Sequence, residues 1–158
     1  MQRGNTHSVR RKRVLAVASG GGHWVQMLRV VPAFDQCDTI FVTVQRDYRS
    51  QVPSHRFHTV NDATRWNKFA LLFMALRLIL IILRERPDVV LSTGAAPGYF
   101  ALRLGRLLGC KTIWIDSIAN VESLSLTGQK VGRYADLWLT QWPHLAQPQG
   151  PHYMGAVL

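Results

Sequence analysis

The sequence predicts an α/β fold: a Rossmann-like parallel sheet with helices on both faces. Three observations carry that expectation. Short runs rich in β-branched and small residues alternate with stretches of helical periodicity. The runs are apolar at nearly every position, as strands buried on both faces are. Three of them end in small or polar residues, "SGGGH", "STGAAPG" and "DSIAN", and the carboxyl ends of parallel strands are where such sheets bind ligands. The chain has 158 residues and is 47% hydrophobic, enough for the core of one domain. Residues 1–13 read as a basic arm and residues 14–158 as that domain.

The elements follow in order. Residues 14–19 form a buried strand, and residues 24–31 a helix with Trp24, Val25, Leu28 and Val31 near helical spacing and Pro32 at its end. "TIFVTV" (39–44) is a second strand. "RDYRSQVPSHR" is a polar loop, and "FHTV" (57–60) a brief third strand. "NDAT" offers capping residues for a long helix that runs to about Arg86. Pro87 and Asp88 open the next unit, in which "DVVLST" is a strand, "GAAPGYF" a glycine-rich turn and "YFALRLGRLLG" a helix closed by Gly109. "KTIWIDS" and residues 137–142 are further strands, separated by a short helix around 127–134. The end, "GPHYMGAVL", reads as a turn and the start of another element.

The formal charge is +10, and Arg3, Arg10, Arg11, Lys12 and Arg13 precede the first strand with no acid among them. Such an arm serves as a solvated tail, a nucleic-acid contact or an anionic-lipid contact. It lacks the interleaved aromatics of nucleic-acid binders, and the apolar helix favours lipid. Cys37 and Cys110 make no disulfide framework and fit a reduced, cytosolic setting. The apolar run after the arm is too short for a signal peptide and leads into glycines.

"FALLFMALRLILIIL" (69–83) carries one charge, Arg77. At about 1.5 Å per residue it falls short of a bilayer. It is apolar almost all round, whereas a helix on a sheet needs one apolar face. Its second face is either buried in a larger assembly or laid on a membrane surface. Trp66, Lys68, Arg84 and Arg86 flank it as interfacial anchors do, so Trp66, Phe69, Leu72, Phe73, Leu76 and Leu80 are the expected membrane contacts.

A strand that ends in glycines and opens a helix is an anion site in principle, although a tight turn with no ligand has the same letters. The nucleotide motifs fail here. Val25 stands where the dinucleotide fingerprint needs its third glycine, Gln45 and Arg46 stand where its acid belongs, and no P-loop lysine follows. His23 lies at the start of the helix, where the dipole lowers an imidazole pKa and keeps it neutral and able to accept a hydroxyl proton.

"SGGGHWVQML", "VVLSTGAAPGYFALRLGRLLGCKTIWIDSIAN" and "GRYADLWLTQWP", in that order, resemble the Alg-fourteen-like bacterial polysaccharide biosynthesis proteins. More distantly the chain is similar to the N-terminal half of MurG. The resemblance spans residues 14–158. It implies the acceptor domain of a GT-B glycosyltransferase split into two chains. Such a subunit binds a lipid-diphosphate-linked saccharide, recruits the complex to the cytoplasmic face of the inner membrane as a peripheral or monotopic protein, and relies on a small partner subunit to hold the UDP-sugar. By position the family's first loop corresponds to Ser19, Gly20, Gly21, Gly22 and His23. Its second corresponds to Thr93, Gly94, Ala95, Ala96, Pro97 and Gly98, and its third to Asp116, Ser117 and Asn120. This chain lacks MurG's further glycine pair and threonine in the first loop and its glutamate in the last. The implied reaction is inverting sugar transfer with His23 as first candidate base and Asp116 as second, the glycine loops cradling phosphates, and no cofactor. No D-x-D or metal-ligand cluster appears, so no metal is expected. A non-catalytic membrane scaffold and a basic nucleic-acid-binding domain are the competing readings.

Overall fold

The computed structural model describes residues 10–64 and 66–157. Arg3 and the rest of residues 1–9 of the predicted arm lie outside the described residues. Among the described residues seven strands form one parallel sheet: β1 (Arg13–Val17), β2 (Asp38–Thr43), β3 (Arg56–Thr59), β4 (Val89–Ser92), β5 (Lys111–Ile115), β6 (Leu137–Thr140) and β7 (His152–Tyr153). Their order is β3-β2-β1-β4-β5-β6-β7, and every neighbouring pair is parallel. The chain thus winds outward from β1 to one edge, returns to β4 beside β1, and winds outward to the other edge. The reversal leaves a crevice above the carboxyl ends of β1 and β4.

Alternation along the strands sends side chains to two cores. Val14, Ala16, Phe41 and Leu91 meet Trp24, Met27 and Val30 of helix α1 (Gly22–Val30) on one face. Leu15, Val17, Ile40 and Val90 meet Met74, Leu78 and Ile82 of α2 (Lys68–Glu85) and Ala101 and Leu102 of α3 (Ala95–Leu107) on the other. Val131 of α4 (Leu126–Val131) joins that second core.

Several predicted boundaries shift, each for a physical reason. The polar loop after β2 contains a 3-10 turn, Arg46–Gln51, which brings Tyr48 onto the Trp24 ring at a centroid distance of 4.9 Å. The cap of α2 is Asn67, whose side chain accepts from the Ala70 N–H at 3.0 Å, and not a residue of 61–64. Asn61 instead donates to the Ala70 carbonyl at 2.9 Å. The helix closes at Arg86 in a left-handed conformation (φ 48°), ahead of Pro87. The predicted glycine-rich turn, "GAAPGYF", is the cap and the opening of α3 itself. Pro97 is tolerated there because an N–H at that position has no intrahelical partner.

The arm is less free than its sequence suggests. Arg13 is the first residue of β1, and its backbone N–H donates to Asp88 at 2.8 Å. Arg10 pairs with Asp88 at 2.7 Å. The described part of the arm is therefore bound to the amino ends of the strands, opposite the crevice.

Candidate active site

The loop from β1 to α1 turns at Gly21, which has φ 62°, a value glycine adopts without strain. Its N–H donates to the Tyr48 hydroxyl at 3.0 Å, so the 3-10 turn after β2 holds the glycine loop in place. A side chain at Gly21 or Gly22 would meet open space. The Gly22 and His23 N–H groups have no partner among the described residues, so the start of α1 presents free donors to the crevice.

His23 is the second residue of α1. Its Nδ1 lies 3.1 Å from Ser19 Oγ, and Thr93 Oγ1 donates to its carbonyl at 2.7 Å. Ser19 is itself fixed by Thr43, whose hydroxyl donates to the Ser19 carbonyl at 3.2 Å. These four residues bind the ends of β1, β2 and β4 together at one point. With the Nδ1 proton directed at Ser19, the Nε2 lone pair is left for a ligand. Burial lowers the imidazole pKa below its ordinary value, and the negative charge of Asp116 opposes that shift in part. Burial thus favours the neutral ring.

Gly94 forms the far wall. It has φ 139°, and a β-carbon there would overlap His23 Cδ2 and lie 2.5 Å from Nε2. Gly94→Ala is accordingly expected to expel the imidazole and strain the turn. The ring signals of His23 in an NMR spectrum of the variant should move away from those of the parent. Thermal denaturation of the same variant should show a folded chain. Ala95 follows with φ 65°, and the Ala96 N–H has no partner among the described residues. The starts of α1 and α3 thus face one crevice.

Two predicted site residues are engaged within the fold. Gly98 is buried and faces the sheet, where a β-carbon would overlap Ser92 Oγ. It allows close helix–strand packing and does not reach the crevice. Asp116 is 1% exposed and fully engaged. Its Oδ1 accepts from Ser125 Oγ at 2.6 Å and Trp114 Nε1 at 3.2 Å. Its Oδ2 accepts from the Ser125 N–H at 2.9 Å and from Asn120 Nδ2 at 3.2 Å. The geometry makes it the anchor of the loop after β5, with Asn120 turned inward toward it. Ser117 stays half-exposed at the start of that loop, its Oγ accepting from the Ala119 N–H at 3.3 Å. Asp116→Asn would set an amide donor against these donors. The expected cost is about 1–3 kcal/mol of stability, read as a lowered Tm.

Gln26 and Gln141 went unmarked in the sequence. Gln26, one helical turn after His23, donates to the Asp116 carbonyl at 3.2 Å and accepts from the Ile118 N–H at 3.2 Å. Gln141 donates to the same carbonyl at 3.0 Å. Both are buried and tie the third loop to the first. Glutamines carry no motif, and these contacts span dozens of residues, so nothing in the sequence marked them. Among the described residues no group of three His, Cys, Asp or Glu side chains is placed to hold a metal ion.

Helix α2 carries an exposed apolar face. At about 100° per residue, Phe69, Leu72, Phe73, Leu76, Leu80 and Leu83 fall on an arc opposite the buried Met74, Leu78 and Ile81. All six are more than half exposed, Phe69 at 87%, and Trp66 just ahead of the helix is exposed as well. Arg77 and Arg84 flank the arc on one side. No helix among the described residues is long and apolar enough to cross a membrane.

The strand order, the crevice at its reversal and the facing helix starts define a Rossmann-like domain of the GT-B type. MurG of Acinetobacter baumannii has the same fold, with a TM-score of 0.74 at 16% identity over 92% of this chain and 45% of that one. A UDP-N-acetylglucosamine 2-epimerase of Neisseria meningitidis matches with a TM-score of 0.62 at 10% identity, over 82% of this chain and 40% of that one. The chain therefore spans less than half the length of these two structures. Residues 51–157 match the family described as "Oligosaccharide biosynthesis protein Alg14 like", and the chain belongs to that family. Similar proteins include the UDP-N-acetylglucosamine transferase subunit ALG14 of Mus musculus, 27% identical over 85% of this chain and 77% of that protein. The subunit of the same name in Schizosaccharomyces pombe is 29% identical over 92% of this chain and 83% of that protein.

Proposed function

We propose that this chain is the acceptor-binding, membrane-recruiting subunit of a two-chain inverting glycosyltransferase. The observation that carries the reading is the His23 imidazole, held by Ser19 between two helix starts with free N–H groups. The substrate class is a polyprenyl-diphosphate-linked saccharide. Its diphosphate suits the free donors of α1 and α3, and its lipid tail suits the apolar arc of α2. That arc begins at Phe69, at the end of α2 nearest the strands' carboxyl ends, so tail and hydroxyl can be held by one face and one crevice.

In the step itself, His23 Nε2 takes the proton of an acceptor hydroxyl. The oxygen attacks the anomeric carbon of a UDP-sugar, the bond from that carbon to the UDP oxygen breaks, and UDP leaves with the electron pair, inverting the centre. The names of the relatives point to UDP-N-acetylglucosamine as donor. The donor is brought by a partner chain resembling the second half of a GT-B enzyme. Val121, Leu126 and Met154 stand exposed along the carboxyl rim of the sheet, as an apolar seat for such a chain. Polysaccharide or oligosaccharide assembly at the cytoplasmic face of the membrane is the setting. The test is reconstitution with the donor-binding partner, a labelled UDP-sugar and a polyprenyl-diphosphate acceptor. Transfer is expected only with both chains present, and transfer by the partner alone would reduce this chain to a scaffold. Tight, salt-dependent DNA binding without vesicle association would favour the nucleic-acid reading.

A further inference from the structure

A second site lies on the α2–α3 side of the molecule, away from the crevice. A groove of about 700 Å³ runs between the two helices and the 3-10 turn Gly132–Tyr134. Phe100, Leu104 and Leu107 give it an apolar floor, and Arg103, Arg133 and Tyr134 its rim. The arginines differ in their commitments. Arg106, also at the groove, is paired with Asp136 at 3.1 Å. Arg103 and Arg133 have no carboxylate partner among the described residues. Their guanidinium carbons lie 5.6 and 5.8 Å from the centroid of the Tyr134 ring, so both stand beside one aromatic side chain, with N–H groups free to serve an anion. Arg103 stands about 12 Å along α3 from Ala95 at the helix start, well removed from the diphosphate-binding donors of the crevice.

The groove also connects to the apolar arc. Ala75 of α2 lines it, and Leu72 and Leu76 beside Ala75 are exposed. Leu107 is 81% exposed at the groove's end. Arginine thus borders the arc on both sides, Arg77 and Arg84 on one and Arg103 and Arg133 on the other. We infer that this groove binds an anionic phospholipid, with its phosphate on Arg103 and Arg133 and an acyl chain over Leu104 and Leu107 toward the arc. The occupant follows from the joining of unpaired guanidinium groups to a contiguous apolar floor, which a soluble anion would not use. The inference rests on the membrane reading of α2 and adds a headgroup-selective site to it.

The test uses the full chain and short-chain lipids below their micelle concentration, so that no bilayer is needed. Dihexanoyl-phosphatidylglycerol should bind saturably at one site, followed by NMR shifts of the Tyr134 ring and of the α3 backbone. Dihexanoyl-phosphatidylcholine should bind at least about fivefold more weakly. The double variant Arg103→Lys, Arg133→Lys keeps the net charge but loses the planar, paired donors. It should bind phosphatidylglycerol about fivefold or more weakly than the parent. Equal binding of the two lipids would overturn the inference, as would unchanged binding by the double variant. Inorganic phosphate binding as tightly as the lipid would make this a free-anion site and overturn it too. Flotation of the same proteins on phosphatidylglycerol vesicles reports on the α2 arc separately. A double variant that loses short-chain lipid binding but still floats leaves the arc responsible for recruitment. A parent that binds the short-chain lipid but never floats sinks the membrane reading and not the groove.

Discussion

His23→Ala is expected to lower sugar transfer by the reconstituted pair about 100- to 10,000-fold, the range for loss of a positioned general base. The imidazole sits at the surface of the crevice and contributes little to either core, so the variant should keep its Tm and its vesicle binding. His23→Gln separates proton transfer from hydrogen bonding, since an amide can still meet Ser19 Oγ but cannot accept the hydroxyl proton. Both variants should fall together. The pH dependence adds an independent reading. Burial lowers the His23 pKa from its ordinary value of 6.5. Below the lowered pKa the ring is protonated and cannot act as base, and above it the ring is competent. The acid limb of kcat/KM should therefore lie below the position for a free imidazole, with activity rising as pH rises through it. That limb should vanish in His23→Gln. Unchanged turnover in both variants would remove His23 from the chemistry and leave the chain a membrane scaffold for its partner.

The same residues show what can be read from letters alone. The continuous apolar runs announced buried parallel strands, and their small and polar ends announced the crevice. Both are local signals that tertiary structure does not alter. The place of His23 at the start of α1 was legible because helix starts follow glycine loops. The surroundings of Asp116 were not. A lone acid after a strand reads as chemistry, and only folding brings Ser125, Asn120 and Trp114 around it. Gly98 misled for the opposite reason: beside Pro97 it looks like a turn, yet the approach of α3 to Ser92 demands it inside a helix. The cap of α2 slipped from 61–64 to Asn67 because several capping residues compete there and packing chooses among them. Gln26 and Gln141 gave no signal, since their hydrogen bonds join segments far apart in sequence. The apolar arc was the reverse case. A helix more apolar than its sheet requires states in sequence that it has a second partner, and the exposed Phe69, Leu72, Phe73, Leu76 and Leu80 stand where that excess predicts.

Leu76→Glu with Leu80→Glu should release the chain from anionic vesicles. The two side chains are 52% and 67% exposed and sit one turn apart at the middle of the arc. Burying a leucine fully is worth about 1.5–3 kcal/mol. Two leucines already half covered by the protein still supply enough for vesicle affinity to fall about a hundredfold when they are lost, and each new carboxylate adds repulsion from the anionic surface. Because neither residue packs on the sheet, the Tm of the variant should stay close to that of the parent. Buried neighbours supply the control. Leu78→Ala, on the opposite face and fully buried, should cost about 2–5 kcal/mol of stability and lower the Tm without a selective loss of vesicle binding. Transfer to a water-soluble, short-chain acceptor should survive in the Leu76→Glu, Leu80→Glu variant, while transfer to a long-chain acceptor in vesicles should drop with its binding. That split follows from placing chemistry at the crevice and recruitment on α2. A variant that floats like the parent would instead assign the exposed arc to a protein partner.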